Sequence, residues 1–139
     1  TIRINRMEEV LGVPVVAIGE RAFRDCSTLK GDVVLPKSIV AIEKEAFMNA
    51  DGLNGRIYFP QSLKVISDKA FYGCQSLQGD LIIPDSVETI GDEAFSYCTG
   101  IGSAVYGGRG LKSVGRDVFT YSGVTKCHLP LPISLELGF

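Results

Sequence analysis

"AFYGC", residues 70–74, has four near-copies in the chain: "AFRDC" at 22–26, "AFMNA" at 46–50, "AFSYC" at 94–98 and "VFTYS" at 118–122. The phenylalanines are Phe23, Phe47, Phe71, Phe95 and Phe119, in equal steps of 24. A period between about 20 and 50 marks a repeat architecture, in which one short unit stacks on the next. Aligning the chain on this step exposes further columns. One reads Ile18, Ile42, Ile66, Ile90, Val114, and another reads Val15, Ile39, Leu63, Val87, Leu111. A leucine column reads Leu29, Leu53, Leu77, Ile101, and Val124 takes it in the last unit, which is two residues shorter.

Within a unit, "DVVLP", "RIYFP" and "DLIIP" are short β-branched runs stopped by Pro36, Pro60 and Pro84. Each predicts a strand of about five residues, ended by a residue with no N–H to give to a ladder. Pieces such as "SVETIG" predict a second short extended segment. "DEAFSYC" then has room for about one helical turn. Neither strand can bury its apolar side alone, so like coils stack at the ~4.8 Å strand spacing and share one core. Five coils predict a stack on the order of 25 Å long. A propeller blade needs four strands and about 40 residues, more than one unit contains.

The pattern of a leucine, a short strand ending in proline, a second apolar strand, and then A-F-x-x-C resembles the BspA-type leucine-rich repeat over roughly residues 12–132. The opening "GVPVVAIGERAF" looks like a first unit of such an array. The resemblance implies an α/β to mostly-β fold, a leucine-rich-repeat solenoid of about five coils. It has parallel strands, short second strands and short helical turns. Residues 1–139 are expected to form one domain, with 1–14 as an N-terminal part, 15–130 as the repeats and 131–139 as a C-terminal part. The departures are Ala50 and Ser122 in the cysteine column, Gly108 in the proline column and Val118 in the alanine column. They are expected to bend the stack near coil four without changing the fold. The same resemblance implies a surface or secreted protein, and a protein-interaction or adhesion module.

Composition narrows the classes. Of 139 residues, 45% are hydrophobic and 22% charged, which suits one domain with a real core. The net charge is −2 without a long run of one sign, so the basic footprint of a nucleic-acid binder is missing. No apolar run reaches the ~20 residues of a membrane helix, so no membrane insertion is expected. "TIRINRMEEV" is too polar to be a signal peptide. The chain begins at Thr1, as a processed or excised piece would.

The chemistry-bearing residues read as structural. Cys26, Cys74 and Cys98 share a column with Ala50 and Ser122, so the column demands small size. A line of thiols cannot wrap a tetrahedral ion, and its parallel side-chain vectors suit a disulfide poorly. His128, the single histidine, follows Cys127, and neighbours on a strand point to opposite faces, so no nucleophile pair is expected. "YGGRG" at 106–110 lacks the spacing of a phosphate loop. Glu20, Asp68, Asp92 and Glu93 alternate with Arg21, Lys44, Lys69 and Arg116, which reads as a solvated corner of mixed charge. No cofactor, metal or catalytic site is expected.

What remains is a surface. Strand alternation predicts that Val34, Tyr58, Ile82, Tyr106 and His128 face away from the core in one stripe. Asp32, Arg56, Asp80 and Lys126 flank it. An apolar and aromatic stripe with alternating charges beside it is expected to be a protein-binding face, with Arg56 and Asp80 on its border. Two other accounts fit the same residues: β-propensity alone, or cover by a neighbouring part of a longer chain, in which case the array is a structural spacer. Ile2 and Ile4 at one end, and Ile133, Leu135 and Leu137 at the other, are expected to add strands that cap the stack. Uncapped ends would favour self-association.

Overall fold

The computed structural model describes residues 2–3, 14–106 and 110–128. Among the described residues eleven short strands succeed one another and there is no helix. In every coil the first strand belongs to one face and the second to another. The first-strand face holds β1 (Ile2–Arg3), β3 (Val33–Val34) and β5 (Ile57–Tyr58), then β7 (Gly79–Ile82), β9 (Ile101–Val105) and β11 (Lys126–His128). The second-strand face is one five-stranded sheet of β2 (Ala17–Ile18), β4 (Ala41–Ile42), β6 (Val65–Ile66), β8 (Thr89–Ile90) and β10 (Ser113–Val114). All pairings are parallel. One strand from each of five coils encloses about four full turns, close to the five coils expected.

The columns are the core. Ile18, Ile42, Ile66 and Ile90 are buried in register on the second-strand face. Val33, Ile57 and Leu81 point in from the first-strand face, and Leu53, Leu77, Ile101 and Val124 close the leucine column. The five phenylalanines stack ring on ring, with centroids 5.1, 5.0, 5.3 and 5.6 Å apart. That spacing is close to the coil repeat, so offset stacking and strand pairing satisfy the same geometry.

The third face corrects an expectation. No helical turn forms at the A-F-x-x-C segments. In coil one, Ala22, Arg24 and Cys26 donate their N–H groups three positions back, to Gly19, Arg21 and Phe23. Arg21, Phe23 and Asp25 donate instead to Lys44, Ala46 and Met48 of the next coil, at 3.1, 2.7 and 2.8 Å. A helix would need every N–H for its own i−4 carbonyl. Here alternate donors are spent between coils, and the segment is a chain of tight turns.

Left-handed residues set that pattern. Arg21 and Asp25 have φ of 56° and 59°, and the pair recurs as Glu45 and Asn49, as Lys69 and Gly73, as Glu93 and Tyr97, and as Asp117 and Tyr121. A left-handed residue costs roughly 1–2 kcal/mol for most side chains, so the hydrogen bonds to the next coil must offset it. Asp, Asn and Gly suit the conformation; a bulky tyrosine adopts it less readily.

At several corners, those of Gly91 and Gly115 among them, the coils approach too closely for a side chain. A Cβ on Gly91 would lie 2.4 Å from the backbone nitrogen of Asp68, and one on Gly115 would lie 2.4 Å from that of Asp92. The approach is drawn tight by carboxylate caps: Asp68 Oδ1 accepts from the Asp92 N–H at 2.7 Å, and Asp92 Oδ1 from the Arg116 N–H at 2.8 Å. Gly91→Ala is expected to destabilise by about 1–3 kcal/mol through backbone displacement, as overpacking does. Urea unfolding of the variant measures it, and an unchanged midpoint would contradict the close approach.

N-terminal β1 pairs with β3 through Ile2–Val33 and Arg3–Val34, so a strand does precede the first full coil. Ile4, Gly108 and the C-terminal residues Ile133, Leu135 and Leu137 lie outside the described residues.

Candidate interaction face

The stripe predicted on the first-strand face is present in part. Tyr58 is 49% exposed and Ile82 is 56% exposed, side by side on consecutive coils. Val34 is half-buried beside them, in register with Tyr58. These positions follow from strand alternation, since Ile57 and Leu81 turn inward.

Tyr106 is not on the stripe. It is 2% exposed, and its hydroxyl donates to the Val87 carbonyl at 3.3 Å. The cause is a register change that the equal spacing of the phenylalanines conceals. Asp80 pairs with Ser103, Leu81 with Ala104 and Ile82 with Val105, a step of 23, with an irregularity at Gly79–Asp80. Ser103, Ala104 and Val105 pair with Lys126, Cys127 and His128, again a step of 23. The connection from phenylalanine to first strand therefore loses one residue in coil four and another in coil five. Half-buried Val105 takes the outward place, and Tyr106 turns into the core beside Ile83. His128 stands in register with Val105, and its side chain lies outside the described set.

Between β5 and β7 the ladder is interrupted, so the first-strand face consists of two three-stranded sheets. A shallow cleft of about 240 Å³ lies at this break. Arg56, Tyr58, Gln61, Asp80, Ile82 and Pro84 line it. Arg56 and Asp80 are exposed, one charge of each sign. The Arg56 side chain lies over Gly79, whose missing Cβ would stand 2.7 Å from Arg56 Nε. Asp80 Oδ1 accepts from the Ser103 hydroxyl at 2.7 Å, which fixes the carboxylate at the cleft border. An apolar pair between opposite charges can seat a partner side chain; the cleft lining holds no nucleophile paired with a base.

The cysteines behave as packing. Cys74 and Cys98 are buried and free, and their thiols donate to the carbonyls of Phe47 and Phe71 at 2.9 and 3.0 Å. Burial pushes the Cys74 thiol up to about 12, and the Cys98 thiol well above the ordinary value. Because the thiolate is the reactive form, a thiol-specific disulfide reagent at pH 8 is expected to label half-buried Cys26 and to spare Cys74 and Cys98 until the chain unfolds. Peptide mapping of the labelled protein checks this, and labelling of Cys74 in the folded state would contradict its burial. Among the described residues no group of three His, Cys, Asp or Glu side chains is placed to hold a metal ion. No helix among them is long and apolar enough to cross a membrane.

Two features escaped the sequence reading. Glu45 is buried to 9% exposure and accepts from Arg21 Nε at 2.8 Å and Arg24 at 3.0 Å. The bond from Arg21 holds its carboxyl below the usual glutamate range, although burial pulls the other way. The second feature is a file of tyrosines on the turn face. Tyr72 meets Tyr97 at 5.2 Å between ring centroids, and Tyr97 stacks on Tyr121 at 5.0 Å. Tyr97 and Tyr121 lie one repeat step apart, which was the available signal. Tyr72 belongs to the adjoining column and joins them only through its side-chain direction.

The repeat unit and its three-faced coil decide the classification. A family model for the BspA-type leucine-rich-repeat region, in six copies, matches residues 13–135. The chain belongs to this family. It is similar to the crystal structure of the T. pallidum leucine-rich-repeat protein TpLRR, at 33% identity and a TM-score of 0.78, over 86% of this chain and 54% of that one. A leucine-rich-repeat protein from Bacteroides ovatus matches at 30% identity and a TM-score of 0.74, over 84% of this chain and 30% of that one. The pneumococcal vaccine antigen PcpA matches at 25% identity and a TM-score of 0.66, over 80% of this chain and 27% of that one. This BspA-type chain thus spans about half of the first neighbour and under a third of the other two. No curated protein matches it.

Proposed function

We propose that this BspA-type chain is a non-enzymatic protein-interaction module of a surface or secreted protein. It binds through the first-strand face around Tyr58 and Ile82. The observation that supports this most is the cleft between β5 and β7. There an exposed tyrosine and an exposed isoleucine lie between Arg56 and Asp80. Interface cores favour aromatic and aliphatic side chains with charges at the rim. The likeness to a pneumococcal vaccine antigen supports a place on the cell surface. The spacer reading draws on a different observation: the neighbours are longer than this chain, so that here the array covers only part of each.

Beads coated with the chain and applied to epithelial-cell monolayers separate the two. An adhesive module is retained, and the Tyr58→Ala, Ile82→Ala double variant is expected to lose about tenfold or more in retention, since two central anchors of this kind each contribute over ~1 kcal/mol. Its melting temperature is expected to stay within a few degrees, because both side chains are exposed. Absence of retention by the unaltered chain, or equal retention by the variant, favours the spacer.

A further inference from the structure

The tyrosine file on the turn face belongs to neither the core nor the strand-face cleft. Tyr121 is 70% exposed and Tyr97 is 37% exposed, and the two rings hold each other at 5.0 Å with an interplanar angle of 30°. Their backbones are left-handed, with φ of 62° at Tyr97 and 56° at Tyr121. The same turn position carries Asp25, Asn49 and Gly73 in the first three coils, residues that suit this conformation. Coils four and five put large aromatic rings there against the backbone preference. At Tyr121 folding supplies little reason for this, because a ring left largely in water buries little apolar surface; Tyr97 is the more covered ring of the two.

The charges around the rings differ from those on the rest of the face. The turns of coils one to three carry Glu20, Arg21, Arg24 and Asp25, then Glu43, Lys44 and Glu45, then Asp68 and Lys69. These nearly balance, and Glu45 is already engaged by Arg21 and Arg24. Coils four and five place Asp92, Glu93 and Asp117 against Arg116 alone. Burial above all pushes the Tyr97 phenol up, and Tyr72, Tyr121 and Glu93 act in the same direction. Asp117 is exposed, and its carbonyl accepts from the Thr120 N–H in the turn that leads to Tyr121. At the far end of the file, Lys69 Nζ stands 5.6 Å from the centroid of the Tyr72 ring. A cation over a tyrosine face is therefore already part of this surface, and the acidic excess lies in coil four, on the turn that carries Tyr97, while Arg116 and Asp117 balance on the turn of Tyr121.

We infer that Tyr97 and Tyr121, with Glu93 and Asp117, form a second docking surface, whose occupant is a basic segment of a protein partner presenting arginine or lysine side chains. The rings supply cation–π contact and the carboxylates supply charge pairing. Both are strengthened because stacking holds the rings in place before the partner arrives. This surface lies on the turn face, separate from the Tyr58–Ile82 cleft, and it stands whether or not that cleft binds.

The test uses the whole chain carrying ¹³C-labelled tyrosine rings, titrated in an NMR tube with a hexa-arginine peptide. A hexaglutamate peptide and maltohexaose serve as comparisons. Hexa-arginine is expected to shift the ring signals of Tyr97 and Tyr121 and to leave Tyr58 and Tyr106 in place. Tyr121→Gly is expected to weaken binding about three- to fivefold, the range of an exposed cation–π contact together with its charge partner. Its melting temperature should hold or rise, because glycine suits the left-handed φ. Asp117→Asn, which leaves the ring stack intact, is expected to weaken binding by a similar factor. The inference is overturned if hexa-arginine leaves Tyr97 and Tyr121 unmoved, if maltohexaose shifts them more, or if both variants bind as well as the parent. A fall in the melting temperature of Tyr121→Gly with unchanged binding of Asp117→Asn would assign the rings to stability alone.

Discussion

Phe71→Ala is expected to lower the free energy of unfolding by about 3–5 kcal/mol, the range for removing a buried phenylalanine from a packed core. Phe71 is fully buried and sits mid-column, between the rings of Phe47 at 5.0 Å and Phe95 at 5.3 Å. Phe59 adds an edge contact at 5.7 Å. Its removal opens a void that rigid coils on both sides cannot close, because their separation is fixed by strand pairing. Phe23→Ala provides the contrast. Phe23 is half-buried and, among the described phenylalanines, stacks on Phe47 alone, so a loss on the order of 1–2 kcal/mol is expected from the apolar area it covers. Urea unfolding followed by circular dichroism compares the two. Equal losses would mean that the rings act as five separate contacts instead of one column.

The second large effect tests the register of coil four. Tyr106→Ala is expected to destabilise by about 3 kcal/mol or more, and Tyr106→Phe by about 1 kcal/mol through the lost bond to the Val87 carbonyl. Tyr58→Ala is expected to stay within about 0.5 kcal/mol, as surface changes do. The two tyrosines fall two repeat steps apart, and by sequence they are equivalent. A similar cost for both would place Tyr106 back on the stripe and refute the one-residue shift.

That pair shows where the sequence was legible and where it was not. The isoleucine, leucine and phenylalanine columns could be read directly, because each buried position recurs once per unit and tolerates little but an apolar side chain. The shift at Tyr106 was hidden because it is compensated. Coil four drops a residue before Ser103 and regains one before Leu111, so the step from Phe95 to Phe119 matches the others. The turn face was misread as helical because "DEAFSYC" has a helical length. What excludes the helix is a division of N–H groups between coils, and a single unit does not show it. Glu45 was passed over among the surface charges, since its partners Arg21 and Arg24 lie one coil back in two different columns. Of the proposed stripe, Tyr58, Ile82, Arg56 and Asp80 lie where alternation put them. The tyrosine file was visible only as two residues in one column.

The shortening connection between phenylalanine and first strand has a consequence for how long such a molecule can grow. From Phe23 to Phe71 every coil offers its successor the same set of columns, so an in-frame copy of one repeat unit inserted there would extend the rod by one rung and disturb neither end. Past Ser103 the rungs are no longer interchangeable, because each first strand starts one residue earlier than the last. A copy inserted at that point would turn outward side chains inward. The described residues thus hold a part whose rungs are interchangeable and a part whose register is shifted. Reach can be changed by editing the first while the register of the second is left alone.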